Sequence, residues 1–377
     1  MIDPARFVDR LDALGVRSYA GVPDSLLKAL GQHIQATVPA ERHTITANEG
    51  AAIAMAIGTY LRTGDLGAVY LQNSGFGNIV NPLLSLADPD VYGVPMLVIV
   101  GWRGQPGVRD EPQHVKQGRI MEPLLEALAL PWAVLPSDPD EADRVVDWAV
   151  GAAREQQAPA LLLVEKGTFA ATQPAAADAE PDPALAGLPT REEALGALVG
   201  ALGEDTINVA TTGMLSRELF EHREAHGGGE RDFLTVGGMG HACSIALGIA
   251  QHEPERETWC LDGDGAVLMH LGSLAVIGHH APATYFHVVF NNGVHDSVGG
   301  QPTAISTVDL PAVAHAVGYR HAARTSDLAS LPEHVAALRD AGGPSLLELR
   351  VRPGNRSDLG RPTRTPRESR ELFMDAL

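Results

Sequence analysis

The sequence predicts an α/β protein built from two doubly wound parallel-sheet domains. Apolar, β-rich runs alternate with helical patterns through almost the whole chain. The strand candidates are apolar throughout, as in sheets covered on both faces, not apolar at every second residue. One stretch rich in Pro, Ala and acid interrupts the alternation and divides it into halves of similar size. At 377 residues the chain is long enough for two ordinary cores.

The opening "MIDPARFVDRLDALGV" reads as an amphipathic helix with charges spread along it, unlike a secretory leader. Strand candidates follow at "RSYAGV", "HTITA", "GAVYLQN", "PMLVIVG", "WAVLP" and "ALLLVE". Between the second and third lies "EGAAIAMAIGTYL", a helix expected to pack through its small residues Ala51, Ala52, Ala54 and Gly58. Residues 1–170 are therefore expected to form one domain and residues 171–190 a linker, with residues 191–377 forming a second domain. The second set of strands is "TINVA", "DFLTV", "ETWCLDG", "TYFHVVF", "GYRHAA" and "PSLLELRV". No sequence repeat relates the halves; only the plan repeats.

Apolar residues make up 45% of the chain and charged residues 20%, the balance of a folded globular protein. A formal net charge of −19 argues against broad binding to nucleic acid or anionic membranes, which need a basic surface. Two cysteines, Cys243 and Cys260, sit in apolar runs and are expected as buried thiols in a reducing compartment. No apolar run approaches the ~20 residues of a membrane span, so the expected location is the cytoplasm.

In open α/β sheets ligands collect at the carboxyl ends of strands. There "ETWCLDGDG" ends a strand in an acid, Asp264, flanked by Gly263 and Gly265. After a helical stretch, "TYFHVVFNN" ends the next strand in Asn291 and Asn292. Both termini fall at one edge of a compact βαβ unit. A carboxylate, an amide oxygen and a nearby backbone carbonyl are hard ligands suited to Mg²⁺ or Ca²⁺. The flanking glycines let the backbone approach a phosphate.

"GDG" followed by "NN" at this spacing resembles the cofactor signature of thiamine-diphosphate-dependent enzymes. The resemblance implies thiamine diphosphate and Mg²⁺ as cofactors. It implies that Asp264 and Asn292 ligate Mg²⁺ by side chains and Val294 by its carbonyl. "TVGGMGHACSIALGIA" is similar to the family's glycine turn before a helix, with Met239 matching the residue that wedges the cofactor into a bent shape. Thr212, Gly238, Gly263 and Gly265 are its further expected neighbours. Glu49, after a strand and opening a helix, matches the family's acid that hydrogen-bonds the aminopyrimidine ring. The implied layout is a pyrimidine-binding domain (1–170) and a diphosphate-binding domain (191–377), the cofactor lying between domains of different copies. At least a homodimer follows.

The loop 101–119 holds Arg103, Arg109, His114, Lys116 and Arg119 against Asp110 and Glu111, a local cationic excess suited to a small anion. The tail "RVRPGNRSDLGRPTRTPRESR" has seven arginines and two acids, and reads either as a solvated arm or as a further anion contact. "GVPDSLLKAL", the WRG and DEPQH elements and "NNGVHDSVGGQPT" together resemble the phosphonopyruvate decarboxylases, with sulfopyruvate decarboxylases nearest beside them. That resemblance implies decarboxylation of the 2-keto acid phosphonopyruvate to phosphonoacetaldehyde and CO₂, in phosphonate biosynthesis. Asp24 and His295 are expected to serve catalysis beside Glu49, and Ser25, Arg103, His114 and Asp296 to meet the substrate. The same "TVGGMGHAC" also approximates a dinucleotide-binding turn with Asp262 as its acid, so an NAD-dependent oxidoreductase is the alternative.

Overall fold

All twelve expected strands form in the computed structural model of the chain, which describes residues 1–171 and 187–377. Two compact units divide it, Met1–Asp178 and Ala179–Leu377. Most of the expected linker lies outside the described residues.

The first unit holds β1 (Val16–Gly21), β2 (His43–Ile45), β3 (Leu66–Gln72), β4 (Met96–Gly101), β5 (Trp132–Val134) and β6 (Pro159–Val164) in the order β2-β1-β3-β4-β6-β5. The second holds β7 (Ile207–Ala210), β8 (Asp232–Leu234), β9 (Thr258–Gly263), β10 (Tyr285–Asn291), β11 (His321–Thr325) and β12 (Ser345–Arg350) in the order β11-β12-β10-β9-β7-β8. Every paired neighbour is parallel. Counting each sheet's strands from one and reading the second from its β8 edge, both orders are 2-1-3-4-6-5. One winding plan is thus used twice.

The apolar strands have the two-sided burial that their composition requires. Leu97 and Ile99 of β4 pack on one face with Phe7 and Leu11 of helix Pro4–Ala13, while Val98 and Val100 pack on the other with Ala52 and Ile53. Each of these Leu, Ile, Val and Phe side chains contributes roughly 1.5–3 kcal/mol when fully buried. In the second unit Trp259 and Leu261 face one apolar cluster and Cys260 the other. Both cysteines are free and buried, and burial pushes their thiols up, Cys243 to about 11.

Three local expectations change. Helix Glu49–Thr63 buries Ala52, Ile53 and Ala56, whereas Ala54 and Gly58 face outward. The expected single helix after β9 is two, Asp264–Met269 and Gly272–His280. His270 leaves helical geometry between them, and its ring packs against His241 with centroids 4.5 Å apart. The arginine-rich tail is docked and is no free arm. Arg356 pairs with Glu192 and Glu221, Arg364 with Glu224, and Phe373 of helix Pro366–Ala376 meets Phe233. Among the described residues no helix is long and apolar enough to cross a membrane.

Candidate active site

In the first unit the loops after β1, β3 and β4 leave neighbouring strands and meet at one carboxyl edge, beside the point where the chain's winding reverses. Glu49 opens its helix, capped by Asn48, whose Oδ1 accepts the Ala51 N–H at 2.9 Å. Its carboxylate is 5% exposed, and Oε2 accepts from Asn78 Nδ2 at 2.7 Å. Burial pushes the pKa of Glu49 up, and the Asn78 bond partly opposes it. A Cβ on Gly75 would lie 2.0 Å from Glu49 Oε1, so only glycine there leaves the carboxylate room.

Asp24 follows β1. Its Oδ2 accepts the backbone N–H groups of Leu26 and Leu27, at 2.5 and 3.3 Å, while its buried Oδ1 has no partner. A Cβ on Gly101, at the end of β4, would come within 2.9 Å of this carboxylate. Burial raises the Asp24 pKa to about 6, against the pull of those two donors.

Arg103 spends three of its five N–H groups locally. Nε and Nη2 grip Asp110 at 2.8 and 2.5 Å, and Nη1 donates to Ser25 Oγ at 2.9 Å. The cation of the expected anion-binding loop is therefore already matched by an acid. Asn73 braces the same point, its amide exchanging hydrogen bonds with the Arg103 backbone at 2.7 and 3.1 Å. His114 is buried in helix Pro112–Arg119 with Nδ1 unpartnered. Burial, then the positive Arg103, lowers its pKa to about 4, so its ring is neutral near pH 7. Asp24, Ser25, Arg103 and His114 thus converge, and the turn Asn73–Gly75 joins their cluster to Glu49. Arg109, Lys116 and Arg119 are exposed around them.

In the second unit the ends of β7, β9 and β10, adjacent in the sheet, form the corresponding edge. Asp264 is 2% exposed and accepts from Thr303 Oγ1 at 2.5 Å. Burial raises its pKa to about 6. Asn292 Oδ1 accepts the Val294 N–H at 3.1 Å, and its Nδ2 donates to Asp296 at 2.7 Å. Residues 293–303 fold back on themselves through the Val294–Pro302 bridge, which brings Thr303 to Asp264. A Cβ on Gly265 would lie 3.0 Å from the His295 ring, whose pKa burial lowers to about 4.

Gly213, Gly263 and Gly293 end this edge with open space where a side chain would stand, and beside Gly238 the nearest atom would be 3.8 Å away. Thr212 and Met239 are half-buried, and Met239 belongs to neither apolar cluster of the unit. The carboxylate of Asp264, the amide oxygen of Asn292 and the Val294 carbonyl are the donors a hard divalent cation takes. Open glycine backbone beside them suits a diphosphate. The residues present fit both groups. Asp262, the acid a dinucleotide would need, is fully buried in β9, its Oδ2 3.6 Å from His287 Nε2, and cannot meet a ribose.

Sequence reasoning missed several residues of these edges. Asp110 was counted only as an opposing charge. Asn73, Gly75 and Asn78 lie in "NSGFGN", whose two glycines and two asparagines after a strand signal a loop of special geometry. Nothing in the sequence marks Thr303 or Arg191.

Two family models match the chain. One, thiamine pyrophosphate enzyme, N-terminal TPP binding domain, covers residues 5–123. The other, thiamine pyrophosphate enzyme, C-terminal TPP binding domain, covers residues 212–349. The chain is 42% identical to a phosphonopyruvate decarboxylase of Streptomyces viridochromogenes, over 99% of this chain and 94% of that protein. It is 39% identical to one from Streptomyces hygroscopicus, over 100% and 94%. A sulfopyruvate decarboxylase of Methanosarcina acetivorans is 25% identical, over 99% and 97%.

Proposed function

The chain belongs to the phosphonopyruvate decarboxylase family of thiamine pyrophosphate enzymes and is a carboxy-lyase, and from that premise we propose that it converts 3-phosphonopyruvate to phosphonoacetaldehyde and CO₂. The observation that carries this reading is the cluster of Asp24, Ser25, Arg103 and His114 at one sheet edge, in a chain whose near-full-length relatives bear that name. Thiamine diphosphate, when bound, supplies the electron sink that lets a 2-keto acid lose CO₂.

The chain's own residues bind, orient and move protons. Asp264, Asn292 and the Val294 carbonyl hold Mg²⁺, and Gly238, Gly263, Gly265 and Thr212 receive the diphosphate. Met239 supports the cofactor's middle. Glu49 holds or accepts a proton at the aminopyrimidine, a role favoured by its buried position and raised pKa. Asp24, with a pKa of about 6, is partly protonated at mildly acidic pH and can give a proton as well as take one. His114 and His295, neutral at pH 7, can donate or accept hydrogen bonds without adding positive charge.

The phosphonate meets Ser25 and the cationic rim of Arg103, Arg109 and Lys116. As the family resemblance implies, the same reading pairs one copy's Glu49 with another copy's Asp264 in at least a homodimer. A cytoplasmic place in phosphonate biosynthesis completes it.

CO₂ release from phosphonopyruvate, sulfopyruvate and pyruvate, with and without thiamine diphosphate and Mg²⁺, tests the proposal. Phosphonopyruvate should exceed both competitors in kcat/KM by at least ~100-fold, which is about 2.7 kcal/mol of transition-state discrimination. Faster turnover of sulfopyruvate would move the assignment to that substrate.

A further inference from the structure

The Asn292 side chain has a donor end and an acceptor end, and only the acceptor end suits a cation. Resting on the reading of Asn292 as a cation ligand, we infer that Asp296 is a positioning residue that turns the Asn292 amide oxygen toward the cation, and that Arg191 and Glu218 hold Asp296 in place.

Asp296 Oδ2 accepts from Asn292 Nδ2 at 2.7 Å and from Arg191 Nη1 at 3.0 Å, and the Gly354 N–H reaches both carboxylate oxygens at 3.1 Å. Asp296 meets the Arg191 guanidinium and the Gly354 N–H as an acceptor, and the Val294 N–H claims the Asn292 oxygen, so the amide turns its nitrogen to Asp296. Its oxygen then faces away, on the side where it takes the Val294 N–H. The assignment follows from chemistry, whichever way an amide is first drawn.

Arg191 is itself locked, with Nε and Nη2 each 2.8 Å from Glu218. The side chains of Arg191, Glu218 and Asp296 are 8%, 2% and 11% exposed. Four separate segments meet here: the start of helix Arg191–Leu202, helix Met214–His226, the turn after β10 and the stretch after β12. Burying one cation between two carboxylates brings little net stability. Its orienting effect on a cation ligand is the more direct use, since such outer partners typically carry 10–100-fold in metal affinity. Between Arg191, Asn292 and Gly354 the Asp296 carboxylate is spent on protein donors, which moves it from the substrate role expected from sequence to support of the cation.

Mn²⁺ affinity of the full chain with thiamine diphosphate, read by electron paramagnetic resonance where the apoprotein is folded, tests this. D296N keeps side-chain volume but lets two amides face each other in either sense, and it should weaken Mn²⁺ about 10–100-fold. Millimolar Mn²⁺ should restore cofactor retention. R191K, which keeps the charge but loses the three-way grip, should weaken Mn²⁺ less. A merely structural role would lower the melting temperature and leave the affinity of the folded protein alone. D264A separates the two readings. If D264A abolishes Mn²⁺ binding while D296N stays within twofold of wild type, the Asp296 role is overturned alone. If D264A binds like wild type, the cation site falls and takes the Asp296 role with it. Should D296N fail to fold, R191K is judged against the same twofold limit.

Discussion

Asp24 shows how a single desolvated carboxyl links local structure to bulk stability. Its folded pKa of about 6 stands above the ordinary aspartate value of 3.8. Between those values the folded chain keeps a proton that the unfolded chain releases. The contribution is therefore fully present below about pH 4 and is lost as pH rises through 6. The shift corresponds to on the order of 3 kcal/mol. D24N should flatten this slope, so that between pH 4 and 7 wild type loses stability relative to the variant. Urea midpoints at four pH values check it, and parallel curves would remove the buried-proton account. The sequence placed Asp24 and Ser25 just after one strand, and Arg103 and His114 in a loop that starts at the end of another, because strand ends follow from pattern. It did not reveal that Asp110 claims Arg103. That pairing spans an irregular loop with no periodicity to read.

Glycines at the ends of strands and turns determine whether these side chains have room. Gly75 and Gly101 exist in this fold for their neighbours' sake: a methyl at either would displace Glu49 or Asp24. G75A should cost about 1–3 kcal/mol by overpacking, and turnover should fall roughly 10²-fold as Glu49 is shifted by about an ångström. G58A serves as the contrast. Gly58 lies in the same helix Glu49–Thr63, with nothing within 4 Å of an added Cβ. That change should stabilise by ~0.5–1 kcal/mol. Melting curves and steady-state rates for the pair check both, and equal behaviour would discard the steric argument. Twelve strands were legible because two-sided burial writes itself as continuous apolar runs. The break at His270 was not, since a histidine between apolar helical segments carries no stop signal. Nor was the docked tail, because arginine-rich composition reads alike whether or not acids lie opposite it.

For the whole molecule, two sheets wound in the same order place their candidate ligand edges at corresponding strands: β1, β3 and β4 in one unit, β7, β9 and β10 in the other. The repeated plan was readable from alternation alone, whereas strand order was not, because parallel neighbours need not be consecutive in the chain. Among the described residues neither sheet borrows a strand from the other. Each contributes its own pair of apolar clusters. A gene cut between the codons for Asp178 and Ala179 should therefore yield two fragments that each fold when expressed together, and that purify as a pair retaining CO₂ release from phosphonopyruvate. Insoluble fragments would show instead that the halves depend on each other to fold. If the pair works, peptide continuity between the halves serves only to keep them in equal number, and catalysis needs the two sheets but not the bond that joins them.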